Sequence, residues 1–230
     1  MTRKRKITYV IYDMDGVLLD TESFYTKAAT MFAASHGKDF TPDLKSRMIG
    51  KKSIDSARIF VESLGLPIAP QEYLKARESL LNDLLPRAQR MPGAHRLTVH
   101  LHQSKVPQAV ATSSDTYHFG LKTTRHRSWF GIFECLILGD DPDLKRGKPA
   151  PDIFLLAAKR LGAAPSECLV FEDAPAGIEA AHAAGMCAVA VPDKIVDPAC
   201  YERAEQILPS LLEFVPEDWG LPPYQRRPGT

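Results

Sequence analysis

Residues 10–21 read Val10-Ile11-Tyr12-Asp13-Met14-Asp15-Gly16-Val17-Leu18-Leu19-Asp20-Thr21. An apolar run at 7–12 stops abruptly at two carboxylates spaced i and i+2. In extended backbone alternate side chains share a face, so Asp13 and Asp15 look into one space just past a strand end. Carboxylates that close repel unless a cation lies between them or one holds a proton. Mg²⁺ suits such a place, because it takes hard oxygen ligands from one or two carboxylates together with phosphate oxygens. Taken alone, the stretch also reads as a strand running into an acidic turn.

Three further segments repeat the pattern of an apolar run ending in polar groups. Residues 109–111 lead into Thr112-Ser113-Ser114, whose hydroxyls and backbone N–H groups suit a phosphate oxygen, although such clusters also cap helices. Gly147-Lys148-Pro149 sets a compact positive charge ahead of an apolar helix over 153–161, with Asp152 as its expected N-cap. An isolated lysine is otherwise a solvated surface residue. Residues 168–171 end in Glu172-Asp173, followed by Gly177 and a helical stretch over 176–184. In open α/β sheets ligands gather at the carboxyl ends of strands. Carboxylates, hydroxyls, a lysine and more carboxylates at successive strand ends compose a phosphate-plus-Mg²⁺ site, and the ordered set is far more specific than any member.

Strands are expected at 7–12, 108–111, 135–138, 168–171 and 187–191. Their alternation with helical patterns points to a Rossmann-like parallel sheet covered on both faces. The interval between Thr21 and Met91 breaks that alternation. Its amphipathic stretches at 24–36, 54–64 and 71–85, punctuated by Gly37, Pro42, Gly50, Gly65, Pro67 and Pro70, read as an inserted helical bundle. The expected division is an α/β core of residues 1–20 and 92–230 with a helical unit at 21–91. Segments near Asp20-Thr21 and Arg90-Gly93 would be its hinges, and the Pro- and Arg-containing tail at 222–230 reads as loose.

With these blocks assembled, the chain resembles the haloacid-dehalogenase superfamily of phosphatases. Asp13-x-Asp15-Gly16, Thr112-Ser113, Lys148-Pro149 and Glu172-Asp173 carry the resemblance over nearly the whole chain. Lys122-Thr123-x-Arg125-His126, Leu138-Gly139-Asp140-Asp141-Pro142, Met48-x-Gly50-Lys51-Lys52 and Met91-Pro92-Gly93-Ala94 are similar to blocks of the pseudouridine-5'-phosphatase group. Relatives acting on glycerol phosphates share similar blocks. The resemblance implies Mg²⁺-dependent hydrolysis of a small phosphorylated metabolite under a cap formed by the insert. It makes Asp13 the nucleophile, by way of an aspartyl-phosphate, and Asp15 the general acid and base. Thr112, Ser113 and Lys148 become phosphate ligands. Asp13, Asp15 through its backbone carbonyl, and Asp173 become metal ligands, with Glu172 assisting. A phosphomutase would reuse the same nucleophile and pass the phosphoryl group to a second hydroxyl. Dehalogenation fits poorly, since that chemistry lacks both the acid/base aspartate and the metal.

Lys51 and Lys52, after Gly50, are cap-side substrate candidates, with a solvated loop as the alternative. Asp20 reads as a turn-orienting residue, His126 as a packing or helix-surface residue, and Asp140, Asp141 and Asp143 as a solvated turn beside a strand end that leaves a supporting role open. A formal net charge of +1 gives no case for a nucleic-acid polymer as partner, and the basic start at 3–6 reads as a solvated flank. No apolar run is long enough to span a membrane. Cys135, Cys168 and Cys187 lie in apolar stretches and read as small core residues; with no signal peptide, the expected setting is the reducing cytoplasm. One chain suffices to build the site, so a monomer is expected.

Overall fold

The structure, a computed structural model, describes residues 6–48, 53–193 and 195–224. Strand β1 (Tyr9–Tyr12) ends at Asp13, and a short β2 (Leu19–Asp20) follows. Then come helices α1 (Glu22–Ser35), α2 (Pro42–Met48), α3 (Ser53–Leu64) and α4 (Pro70–Leu84). The chain returns through β3 (Gln89–Arg90), α5 (Ala94–Gln103), β4 (Gln108–Ala111), α6 (Thr116–Lys122), α7 (Arg127–Phe130) and β5 (Cys135–Ile137). It finishes with α8 (Asp152–Leu161), β6 (Cys168–Glu172), α9 (Pro175–Ala183), β7 (Cys187–Ala190) and β8 (Gln206–Ile207).

The main sheet runs β5-β4-β1-β6-β7-β8, with every neighbouring pair parallel. The chain builds outward from one side of β1 and then from the other, so β1 marks the point where strand order reverses, the crevice where such sheets bind ligands. Both faces of the sheet are buried, which explains why its strands read as continuous apolar runs rather than alternating ones. Val10 and Tyr12 pack on one face with Leu97, Leu101 and Phe214, while Ile11 packs on the other with Phe154 and Ile178. Tyr12 stacks on Phe171 with ring centres 5.3 Å apart, and its buried hydroxyl donates to Gln108 Oε1 at 2.9 Å. The phenol therefore enters the core without leaving a polar group unsatisfied.

The inserted helices have their own core, in which Phe60 and Tyr73 stack at 4.1 Å among Ala33, Leu44 and Val61. The three helices expected at 24–36, 54–64 and 71–85 occupy 22–35, 53–64 and 70–84, and α2 is an addition. Pro70 at the first turn of α4, and Glu72 accepting from the Ala69 N–H at 2.8 Å, fix that helix start. The insert docks on the sheet unit through α6: Leu121 packs beside Ala28, Leu81, Leu84 and Leu85, and His118 Nε2 lies 2.6 Å from Glu78 Oε1.

Segments expected as hinges form a clasp. Leu19 pairs with Arg90 and Asp20 with Gln89 across β2 and β3, and the Met91 N–H donates to Leu18 O at 2.9 Å. Three smaller expectations are corrected. Asp152 is the first residue of α8 rather than its cap, and its carboxylate is taken by Arg146 at 2.9 Å. The tail is held as far as Tyr224: His100 Nε2 lies 2.9 Å from Pro222 O, and the Arg96 guanidinium sits 3.9 Å from the Tyr224 ring centre. Cys135, on the edge strand, is half-buried, whereas Cys168 and Cys187 are buried. Among the described residues no helix is long and apolar enough to cross a membrane.

Candidate active site

Strand register gathers the expected residues. Tyr12 lies opposite Val110 on one side and Phe171 on the other, so β4, β1 and β6 deliver Thr112, Asp13 and Glu172-Asp173 at adjacent strand ends. Lys148 joins them from the loop before α8. Its Nζ lies 2.5 Å from Asp13 Oδ1 and 2.5 Å from Glu172 Oε1, and it donates to Ala111 O at 3.2 Å. Burial pushes Asp13 up, Lys148 pulls it down, and Glu172 and Asp15 push it up again, leaving it at about 7. For Lys148 the loss of solvent favours the neutral form, but Asp13 and Glu172 outweigh it and hold the ammonium charged. Glu172 is 1% exposed, and its second oxygen accepts from the Ala174 N–H at 2.9 Å. It lies so close to α9 that a Cβ on Gly177 would fall 1.8 Å from Oε1.

Asp15 has a separate cradle. Thr21 Oγ1 donates to its Oδ1 at 2.5 Å, and Lys122 Nζ lies 2.7 Å from the same oxygen. Ser114 Oγ donates to Oδ2 at 2.9 Å, with Thr112 Oγ1 farther off at 3.4 Å. Burial alone would raise Asp15, yet the charge of Lys122 and these hydrogen bonds win and hold it below the usual carboxylate range. Ser113, the neighbouring candidate, is exposed; Ser114 is the hydroxyl that reaches Asp15.

Asp173 completes the acidic group. Burial raises it first, and Glu172, Asp13 and Glu22 raise it further against the opposing charge of Lys148. Gly16, at φ +74°, admits it: a Cβ there would lie 2.3 Å from Asp173 Oδ2. Asp13, Asp15, Glu172 and Asp173 thus share two ammoniums: Lys122 pairs with Asp15, Lys148 is divided between Asp13 and Glu172, and the surplus negative charge raises Asp13 and Asp173. That donor set fits Mg²⁺, which needs one or two carboxylates and completes its shell with water and phosphate oxygens. Among the described residues no group of three or more His, Cys, Asp or Glu side chains converges as a ready ligand cage. The expected share of Glu172 is correspondingly changed: both its oxygens are engaged, by Lys148 and by the Ala174 N–H.

A cavity of about 360 Å³ adjoins this acidic group, lined by Tyr25, Phe40, Tyr73 and Arg77 from the insert and by Asp173 and Tyr201 from the sheet unit. Arg77 lies 5.7 Å from the ring centres of both Tyr25 and Tyr73, and its buried Nε has no hydrogen-bond partner. Lys45 of α2 faces Asp193, in the loop after β7, at 3.7 Å. Lys51 and Lys52 lie outside the described residues.

Other candidates fall away from the chemistry. Asp20 Oδ1 accepts from the Ser23 N–H at 3.2 Å and so orients the start of α1. His126 is buried, with Nε2 2.8 Å from Ala88 O and its ring edge-on to Trp129; packing is its role, and it is not on the surface. Asp140 accepts from the Thr116 N–H at 3.0 Å, while Asp141 and Asp143 pair with Arg160 rather than standing free in solvent. Lys122 and Arg77 escaped sequence reasoning as site residues, and Ser114, read there as one of three hydroxyls suited to phosphate, instead holds Asp15. Only the Lys122-to-His126 block pointed near one of them, and nothing in its composition marks a buried charge.

These groups, at the carboxyl ends of a parallel sheet under a helical insert, define a hydrolase site built on paired aspartates. The chain belongs to the haloacid dehalogenase-like hydrolases, whose family pattern matches residues 7–185. It is 49% identical over 224 residues to (DL)-glycerol-3-phosphatase 2 of Arabidopsis thaliana, covering 95% of this chain and 93% of that protein. It is 44% identical over 223 residues to a protein named "Probable pseudouridine-5'-phosphatase" in Drosophila melanogaster, covering 96% of each. The crystal structure of a HAD family hydrolase from Deinococcus radiodurans superposes with a TM-score of 0.80 at 24% identity, covering 96% of this chain and 100% of that one, and shares its fold.

Proposed function

We propose that this chain is a Mg²⁺-dependent phosphomonoester hydrolase that works through an aspartyl-phosphate on Asp13. The observation that carries the reading is the Lys148 bridge between Asp13 and Glu172, with Asp173 alongside and Asp15 gripped separately. A carboxylate needs no deprotonation to act as nucleophile, and splitting the reaction in two eases each half. The Asp13 oxygen bonds to phosphorus as the bond to the leaving oxygen breaks, and that oxygen takes a proton from Asp15. Water then gives its proton to Asp15 and its oxygen to phosphorus, breaking the Asp13–phosphorus bond and freeing phosphate. The surroundings of Asp15 favour its ionised form, which is the form this second step uses.

Asp13, Asp173 and the backbone carbonyl of Asp15 would hold Mg²⁺, which when bound supplies positive charge to the phosphoryl oxygens. Lys148, Thr112 and the Ser113 backbone hold the remaining oxygens, and Glu172 keeps Lys148 in place. The helical unit at 21–91 acts as the cap over the core of 1–20 and 92–230, excluding water while the charges are exposed.

For the leaving group we favour pseudouridine, so that the substrate is pseudouridine 5'-phosphate. Its support is the 44% identity to the Drosophila protein and a cavity of about 360 Å³ with aromatic walls, which suits a ring. Arg77, which lines that cavity, carries N–H donors that suit a carbonyl or hydroxyl. A glycerol phosphate is the second reading, favoured by the 49% identity to the Arabidopsis enzyme. Phosphate release across pseudouridine 5'-phosphate, uridine 5'-phosphate, glycerol phosphates, hexose phosphates and flavin mononucleotide, with and without Mg²⁺, separates these readings. Formation of an isomer or bisphosphate without free phosphate would make the chain a phosphomutase instead.

A further inference from the structure

Lys122 is a buried charge that the reaction above leaves unused. It is 3% exposed, at the last residue of α6, with Nζ 2.7 Å from Asp15 Oδ1 and donating to Ser114 Oγ at 2.8 Å. A lysine is almost never buried this far unless its ammonium is paired. The helix that carries it is also the part of the sheet unit that meets the insert. His118 reaches Glu78 of α4, Leu121 packs among Ala28, Leu81 and Leu84, and Lys122 Nζ sits 5.6 Å from the centre of the Tyr25 ring on α1. One stretch of α6 therefore touches the insert with two side chains and both the insert and Asp15 with a third.

We propose that Lys122 is a positioning residue for the acid/base carboxylate, fixing Asp15 for proton transfer at the leaving oxygen and tying that alignment to the docked insert. The proposal rests on the reading of Asp15 as acid and base. Its basis is the geometry of the grip. Asp15 Oδ1 is shared by Lys122 and Thr21, and Oδ2 is held by Ser114, which Lys122 itself holds. Without the ammonium, Oδ1 keeps only a hydroxyl partner and Ser114 loses its donor. The carboxylate is then free to turn, and a displacement of about 1 Å is enough to slow catalysis on the order of 10²-fold.

The test compares two leaving groups. One is the alkyl monoester that the wild type turns over best; the other is p-nitrophenyl phosphate, whose leaving group departs without a proton. In the first turnover, before water attacks the Asp13 phosphate that both esters share, Lys122→Met should slow leaving-group release from the alkyl ester about 10²-fold and leave the aryl ester at least ~10-fold less affected. Lys122→Arg, which keeps the charge, should recover part of the alkyl rate. Equal losses on the two esters, including loss of both through misfolding, overturn the proposal. Asp15→Asn tests the parent reading in the same assay. If it slows first-turnover leaving-group release from both esters alike, Asp15 is not the proton donor and both readings fall; if it is selective for the alkyl ester and Lys122→Met is not, only the role of Lys122 falls.

Discussion

A Cβ added to Gly16 would lie 2.3 Å from Oδ2 of Asp173. The end of the first strand and the end of β6 therefore meet across a gap that only a glycine leaves open, and it is there that the uncompensated negative charge collects. Gly16 also holds φ +74°, a conformation that side chains disfavour. Gly16 is thus as much a part of the acidic group as Asp15 before it in sequence and Asp173 across the gap from it.

Gly16→Ala should act on both stability and activity. The strained backbone costs on the order of 1–3 kcal/mol, and Asp173 must retreat to make room. We expect a lowered Tm together with loss of most Mg²⁺-dependent phosphate release. An alanine variant with wild-type turnover would show that Asp173 does not need this approach.

Gly177→Ala tests the anchor of Lys148. Alanine favours helix over glycine by roughly 0.8–1 kcal/mol, so α9 should keep or gain stability. The new Cβ, at 1.8 Å from Glu172 Oε1, would displace the carboxylate that anchors Lys148. A fall in activity of about 10–100-fold, typical when a supporting partner is lost, is expected together with a lowered Tm, because disturbing a buried ion pair outweighs the helix gain. Unchanged kcat/KM would remove Glu172 from the support of Lys148.

Asp173→Asn tests the metal directly. Burial and three neighbouring carboxylates raise the Asp173 pKa, so above the ordinary carboxylate range its charge opposes folding of the metal-free protein. At pH 8 the neutral variant should melt at the same temperature or higher without metal. Wild-type protein should gain stability as Mg²⁺ is added, by about 2.7 kcal/mol at a concentration 100-fold above Kd, and the variant should gain far less. Calorimetric melts with and without Mg²⁺ read both effects. An equal magnesium shift in the two proteins would take Asp173 out of the ligand set.

Lys51→Ala and Lys52→Ala should change the order of preference among phosphoesters while sparing a small generic one such as p-nitrophenyl phosphate. The check is a ratio of kcat/KM values across the substrate panel. Uniform losses on every ester would make these lysines structural.

Much of the fold was legible because a sheet buried on both faces writes its strands as apolar runs. Gln108–Ala111 was delimited to the residue, and Cys168–Glu172 to within one. β8 escaped because Gln206–Ile207 is a two-residue edge strand with an exposed isoleucine, and β2 and β3 because two residues carry no period. α5 opens on Ala94-His95-Arg96 and carries further histidines, which hid its apolar face of Leu97 and Leu101. In the site, Asp13, Asp15, Lys148 and Asp173 were visible because each ends a strand or interrupts a Gly-Pro pair. Lys122 and Arg77 were not, since a lone cation in a polar helix reads as surface until tertiary packing buries it. Asp15 and Lys122 are 107 residues apart in sequence, a pairing that no local pattern encodes.

The most direct measurement is acid quench of the enzyme during turnover with Mg²⁺, followed by mass spectrometry of its peptides. The account predicts a phosphoryl group on Asp13, absent in Asp13→Asn, which should fold normally and release no phosphate. Phosphate release at near wild-type rate by Asp13→Asn, or a phosphoryl group on any other residue, would contradict it.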